Sequence, residues 1–106
     1  MKKYEIGLIL APNLDESKTE EVISKLKAIY TDAGSQIIDE ETVGIKEMAY
    51  EIEDHATGFY YYMVATANSE INQEFERVCR ISEEVLRFLV INVEDAPGNT
   101  LDILRK

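Results

Sequence analysis

The sequence contains a single cysteine, no tryptophan, two prolines and five glycines among its 106 residues. Because one cysteine cannot form an internal disulfide, the chain does not belong to the small secreted folds that depend on disulfide bridges. One cysteine and one histidine also supply too few ligands for a structural zinc site. These shortages indicate a reducing, intracellular setting.

Basic residues are also scarce, since 11 lysines and arginines stand against 21 acidic residues and give a formal charge of −10. A protein that binds nucleic acid alone normally shows the opposite balance, because affinity comes largely from neutralised phosphates. Any RNA contact must therefore use a small local cluster of cations, or a basic partner must supply the missing charge. The acidic excess should also attract basic proteins at long range.

Long apolar runs are absent. The first ten residues, MKKYEIGLIL, contain an apolar run that is too short for a signal sequence and is interrupted by Glu5. No stretch approaches the roughly 20 apolar residues that a membrane-spanning helix needs. With 45% apolar residues, the composition favours one folded domain. We therefore expect a soluble, cytosolic protein that does not enter a membrane.

The first half of the predicted domain begins with a strand and a helix. Apolar residues alternate from Tyr4 to Leu10, as in a strand, and then recur at helical spacing over residues 22–33. Asp15 or Ser17 can cap the start of this helix, and Gly34 can follow its end.

The second half predicts two strands, a helix and a final strand. Residues 36–45 form one extended stretch, and residues 46–53 form a second that directly follows the first. A polar turn over residues 54–58 then precedes an aromatic-rich strand at residues 59–67. Asn68 or Ser69 can cap a second helix. Residues 85–94 have the composition of a last strand.

This order of elements, βαββαβ, predicts an α+β fold of the ferredoxin-like type. Right-handed crossovers place both helices on one face of a four-stranded antiparallel sheet and leave the other face open. We expect residues 1–94 to form this domain and residues 95–106, which lack a capping or alternating pattern, to be a flexible C-terminal tail. The open face is the place to look for function.

Three segments resemble the family of the sixth protein of the bacterial small ribosomal subunit, the S-six family. The start, KKYEIGLILAPNLDE, is similar to the family's opening of basic residues, Tyr-Glu, an apolar strand and an Asn-Leu turn. The segment GIKEMAYEIE (residues 44–53) resembles the family signature, and FERVCRISEEVLRFLV (residues 75–90) resembles its second helix and last strand. Two positions depart from the pattern: Met48 replaces the usual leucine, a change of similar volume, and Glu53 removes positive charge.

The resemblance covers residues 2–94 and implies a non-catalytic structural protein of the small ribosomal subunit, located in the cytoplasm, without cofactor, metal or small-molecule substrate. Members of the family bind the central domain of the 16S ribosomal RNA, usually together with the basic ribosomal protein S-eighteen. Such a partner would explain how an acidic chain can lie on RNA.

Five cations are candidate contacts to RNA phosphates. Lys2 and Lys3 open the first strand, although charge at a terminus also serves solubility. Lys46 occupies the basic position of the signature, but a lysine there can also discourage pairing at a sheet edge. Arg87 lies in an otherwise apolar strand, and its guanidinium suits phosphate or carboxylate. For Arg80, the attraction of its positive charge to the negative C-terminal end of the second helix explains its position as well as a phosphate contact does.

Three tyrosines are candidate interface residues. Alternation places Tyr60 and Tyr62 on one face of the sheet, and Phe59 and Tyr61 on the other. One pair should pack beneath the helices and leave the other for RNA or a partner protein, but the sequence does not say which. Tyr50 is a candidate because it belongs to the signature.

Other functions have less support in the sequence. His55 stands alone in a turn, Cys79 occupies an apolar helical position, and there is no glycine-rich phosphate loop, so an enzyme is disfavoured. A small-molecule-sensing module of the same fold would be expected to carry glycines near the first helix, and none occurs at residues 13–33. A protein-interaction domain that uses a sheet edge without RNA is a further alternative.

Overall fold

Six helices and strands make up the computed structural model, which describes residues 1–93. They are β1 (Lys2–Leu10), α1 (Glu16–Thr31), β2 (Ile37–Ile52), β3 (His55–Ala67), α2 (Ser69–Ile81) and β4 (Val85–Asn92). The strands form one antiparallel sheet in the order β2-β3-β1-β4. The predicted ferredoxin-like fold is therefore confirmed. The expected tail at residues 95–106 lies outside the described residues, as does residue 94.

The two central strands, β1 and β3, supply much of the core. Ile6 and Leu8 of β1, and Tyr61 and Met63 of β3, point towards the helices and are at most 2% exposed. Burial of an apolar side chain of this size stabilises the fold by about 1.5–3 kcal/mol. Because these residues alternate with residues of the opposite face, the same strands present a second surface that neither α1 nor α2 covers.

Capping interactions fix where both helices begin. The Asp15 carboxylate accepts a hydrogen bond from the Lys18 backbone N–H at 2.7 Å, so Asp15 rather than Ser17 caps α1. Asn68 caps α2 in the same way, since its side-chain oxygen accepts from the Ile71 N–H at 2.9 Å. Each cap satisfies a backbone donor that has no partner inside its helix.

A glycine ends α1 as predicted. The Ser35 N–H donates to the Tyr30 carbonyl at 2.9 Å, and the Gly34 N–H donates to the Thr31 carbonyl at 3.2 Å. This pair of hydrogen bonds is the Schellman motif, and it requires the left-handed backbone that Gly34 adopts with φ of +87°.

The turn between β2 and β3 is shorter than predicted. Only Glu53 and Asp54, with φ of +50° and +67°, separate the two strands, so the prediction of a polar turn over residues 54–58 is wrong. A two-residue turn with both φ values positive matches the twist of a hairpin, which lets β3 begin at His55. The pairing of β1 with β3 begins only at Phe59, so residues 55–58 of β3 pair with β2 alone.

Candidate nucleic-acid interface

The face of the sheet opposite the helices, here called the open face, is organised in rows of paired residues. One row runs from Gly44 of β2 through Tyr60 and Ile9 to Arg87 of β4. The next two rows lie successively further along the strands and contain Glu41, Tyr62, Gly7 and Leu89, and then Asp39, Val64, Glu5 and Ile91. Residues far apart in the sequence thus share one surface.

Two of the predicted cations lie at the same end of the open face. Arg87 is exposed on β4 opposite Ile9, and Lys46 is exposed on β2 opposite Gly58. Their strands are the two edges of the sheet, three strand spacings or about 14 Å apart. We call Lys46 and Arg87 the cationic end of the open face.

The two lysines at the start of β1 lie elsewhere. Lys3 faces the open side opposite Thr66, but it is six residues from Ile9, or about 20 Å along the strand. Lys2 is paired with Ala67, whose side chain belongs to the core beneath the helices, so Lys2 points to the helix side. Consecutive residues of a strand point to opposite faces, and the structure therefore separates this pair.

The guanidinium of Arg80 lies on the helix side as well. It stacks over the ring of Phe88 at 5.6 Å from the ring centroid, and its Nη2 atom is 3.5 Å from Glu76. Phe88 faces the helices, whereas its neighbour Arg87 faces away from them. The five predicted cations consequently do not form one cluster: the structure brings together Lys46 and Arg87 and leaves Lys2, Lys3 and Arg80 apart.

Among the aromatic residues, Tyr60 and Tyr62 are the pair on the open face, while Tyr61 packs beneath the helices. Tyr60 is nevertheless fully buried: it forms a cluster with Ile9, and five partly buried side chains pack against this cluster, among them Val43 of β2 and Leu86 of β4. These two residues are the extra residues of β-bulges in the edge strands, where the pairing shifts between Thr42 and Gly44 and between Val85 and Arg87. The ring of Tyr60 is therefore unavailable for stacking on an RNA base.

The second tyrosine of this pair lies among carboxylates. The Tyr62 hydroxyl donates to Glu5 at 3.2 Å. Burial and the negative charge of Glu5, with smaller contributions from Asp39 and Glu41, raise the pKa of Tyr62 to about 12. We call Glu5, Asp39 and Glu41 the acidic half of the open face. No motif in the sequence singles out this group, although the alternation in the first strand places Glu5 on the face opposite the core residues.

The third tyrosine candidate, Tyr50, lies on the β2–β3 hairpin and is 66% exposed. Its ring is thus accessible, in contrast to that of Tyr60.

Over residues 1–93, no helix is long and apolar enough to cross a membrane, and no group of three His, Cys, Asp or Glu side chains could hold a metal ion.

Comparison with known proteins identifies the family. The model of the family described as Ribosomal protein S6 matches residues 3–92. The small ribosomal subunit protein bS6 of Shouchella clausii is 43% identical over 94 residues, which cover 89% of this chain and 99% of that protein. The bS6 protein of Phytoplasma australiense is 38% identical over 91 residues, which cover 86% and 98% of the two chains.

The fold of the chain is also found in a solved relative. The crystal structure of 30S ribosomal protein S6 from Thermotoga maritima superposes with a TM-score of 0.83 over 89% of both chains, at 27% sequence identity. These matches confirm the predicted family and, with it, a structural protein of the cytoplasmic ribosome rather than an enzyme. The chain therefore belongs to the ribosomal protein S6 family, the bS6 proteins of the bacterial small ribosomal subunit.

Proposed function

We propose that this chain binds the central domain of the 16S ribosomal RNA together with the basic ribosomal protein S-eighteen. The observation that carries the proposal is the division of charge on the open face. Lys46 and Arg87 lie at one end, and Glu5, Asp39 and Glu41 lie further along the same surface. Each part suits a partner of opposite charge.

The cationic end suits the RNA backbone. Lys46 and Arg87 are both exposed and are fixed on opposite edge strands of one sheet, about 14 Å apart across the sheet and about 7 Å apart along it. Cations held at a fixed spacing can contact separate phosphates and so position the protein without reading sequence. Because only two of the cations in residues 1–93 lie here, we expect weak binding of RNA by this chain alone.

The acidic half suits a basic protein. Three carboxylates close to one another repel RNA phosphates, whereas a cationic surface would neutralise them. A basic partner seated over Glu5, Asp39 and Glu41 would also extend the positive surface that begins at Lys46 and Arg87. This arrangement accounts for RNA binding by a complex whose acidic member has a formal charge of −10.

The remaining candidates have different parts in this proposal. Tyr50 is accessible for stacking, and the half-buried Tyr62 lies where the basic partner would dock. Phosphate contacts by Lys2, Lys3 and Arg80 require RNA that also reaches the far end of the sheet or the helix layer.

Binding measurements across a salt series test the proposal. We expect the chain to associate with central-domain RNA more tightly in the presence of the basic partner, and less tightly as salt rises. The substitution Arg87→Glu should weaken the three-component complex. The matched control is Arg77→Glu, because Arg77 is an exposed arginine of α2 that pairs with Glu74.

Two results would contradict the proposal. One is the absence of any RNA association, with or without the partner. The other is an equal effect of Arg87→Glu and Arg77→Glu, which would remove the cationic end from the interface. Binding to the basic protein without RNA would instead support a protein-interaction domain.

A further inference from the structure

A groove lies between α1 and the edge strand β2, on the side of the sheet that carries the helices. Its volume is about 650 Å³, a size that can hold a short peptide segment. Ile23 of α1, Ile45 of β2 and Phe59 of β3 form its apolar lining. Ile45 is 53% exposed, so a large apolar side chain faces solvent beside a depression in the surface.

The two ends of the groove differ in chemistry. At one end, the Lys27 ammonium lies 2.9 Å from Glu40, and the Tyr61 hydroxyl donates to the same carboxylate, so these charges are already matched. At the other end, Glu16 and Glu20 of α1 are exposed carboxylates. The groove therefore suits a segment in which apolar side chains are followed by positive charges.

The chain contains such a segment outside the described residues. Residues 101–106 read LDILRK, in which Leu101, Ile103 and Leu104 precede Arg105 and Lys106. We propose that residues 101–106 dock in the groove between α1 and β2, with the apolar side chains on Ile45 and the two cations beside Glu16 and Glu20.

The chain is long enough for this arrangement. The Val93 N–H donates to the Lys3 carbonyl at 3.2 Å, so the described part of the chain ends level with Lys3. Glu40 of β2 pairs with Met63 of β3, which in turn pairs with Ile6 of β1. Ile6 is three residues from Lys3, or about 10 Å along the strands, and β2 lies about 14 Å across the sheet from β4. The direct distance is therefore about 17 Å, and the seven residues 94–100 can span about 23 Å.

The length of the docking segment also matches the groove. Lys27 and Glu16 lie eleven residues apart in α1, which corresponds to about 16 Å along the helix axis. Six extended residues span about 20 Å, so a segment that enters beside Lys27 places its last residues at Glu16 and Glu20. Because the segment is tethered to the same chain, its high effective concentration lets a weak contact stay occupied.

A nitroxide label tests this inference in the full chain. The variant Thr100→Cys carries the label just before the docking segment, and the native Cys79 is only 2% exposed and should not react. We expect the amide NMR signals of Lys27 and Glu40 to lose most of their intensity. Adding Leu104→Asp or Ile45→Ser to the labelled chain should restore these signals, because each removes an apolar contact.

The control is Asn99→Asp, which adds the same charge as Leu104→Asp ahead of the docking segment and should leave the loss unchanged. Full intensity of the Lys27 and Glu40 signals, or a loss that Leu104→Asp does not reverse, would overturn the inference. So would a loss that appears only between molecules in mixtures of labelled and unlabelled chains, since the occupant would then be a second copy. The experiment contains no RNA, so its outcome is independent of the proposed function.

Discussion

Single residues of the open face owe their properties to neighbours from other strands. Tyr60 and Tyr62 are two positions apart and face the same way, yet Tyr60 is fully buried and Tyr62 is only partly covered. The alternation in the sequence predicted that they share a face. It could not predict their exposure, because Ile9, which forms a buried cluster with Tyr60, and Val43 and Leu86, which pack against that cluster, lie on three other strands.

The pKa of Tyr62 predicts a dependence of stability on pH. The folded protein raises this pKa from 10.0 to about 12, first through burial and then through Glu5. The folded state thus holds this proton more tightly than the unfolded state. The resulting stabilisation is complete below pH 10 and is lost as the pH rises towards 12.

The variant Tyr62→Phe isolates this effect. We expect the difference in unfolding free energy between the native chain and the variant to be constant below pH 10 and to shrink above it. Urea unfolding followed by circular dichroism at several pH values measures this difference. A difference that is the same at pH 8 and pH 11 would contradict the assignment.

Among the helices and strands, those with local signals were predicted best. The caps Asp15 and Asn68 and the terminating Gly34 act through hydrogen bonds within a few residues, so the sequence predicted each of them, although it left Ser17 and Ser69 as alternative caps. The β-bulges of β2 and β4 depend on pairing between distant strands, so no pattern within either strand reveals them. The two-residue turn was missed because Glu53 and Asp54 lack the glycine typical of such turns.

The choice of cap gives a prediction for α1. The substitution Asp15→Ala should lower the free energy of unfolding by about 0.5–2 kcal/mol, because the Lys18 N–H loses its acceptor. The matched control, Ser17→Ala, removes the alternative cap that the sequence also allowed and should have little effect. Chemical denaturation measures both. Equal losses, or a larger loss for Ser17→Ala, would show that the cap is assigned wrongly.

For the whole molecule, the sequence predicted the charge but not its distribution. The composition required either a local group of cations or a basic partner. The structure shows that the cations divide, with Lys46 and Arg87 on the open face and Arg80 on the helix side. Arg80 and Arg87 are close in sequence but lie on opposite sides of the sheet, because the chain passes from α2 into β4 between them.

The acidic half gives a prediction for the association with the basic partner. The substitution Glu41→Lys should slow association several-fold at low salt, because a charge at the edge of an interface acts mainly on the rate of encounter. The control is Glu83→Lys, which makes the same change in net charge at an exposed position before β4. Stopped-flow measurements across a salt series compare the two. If both variants slow association equally, only the net charge matters and the acidic half is not the docking surface.

The bulges that cover Tyr60 have a second consequence, for the behaviour of the chain before it meets its partners. β2 and β4 are the edges of the sheet, and both interrupt their regular pairing: β2 shifts register at three places, one of them at Val43, and β4 shifts register at Leu86. A strand from another molecule would meet an irregular row of donors and acceptors there, which disfavours growth into fibrils. Restoring regular pairing by deleting Leu86 would therefore remove part of this protection against aggregation.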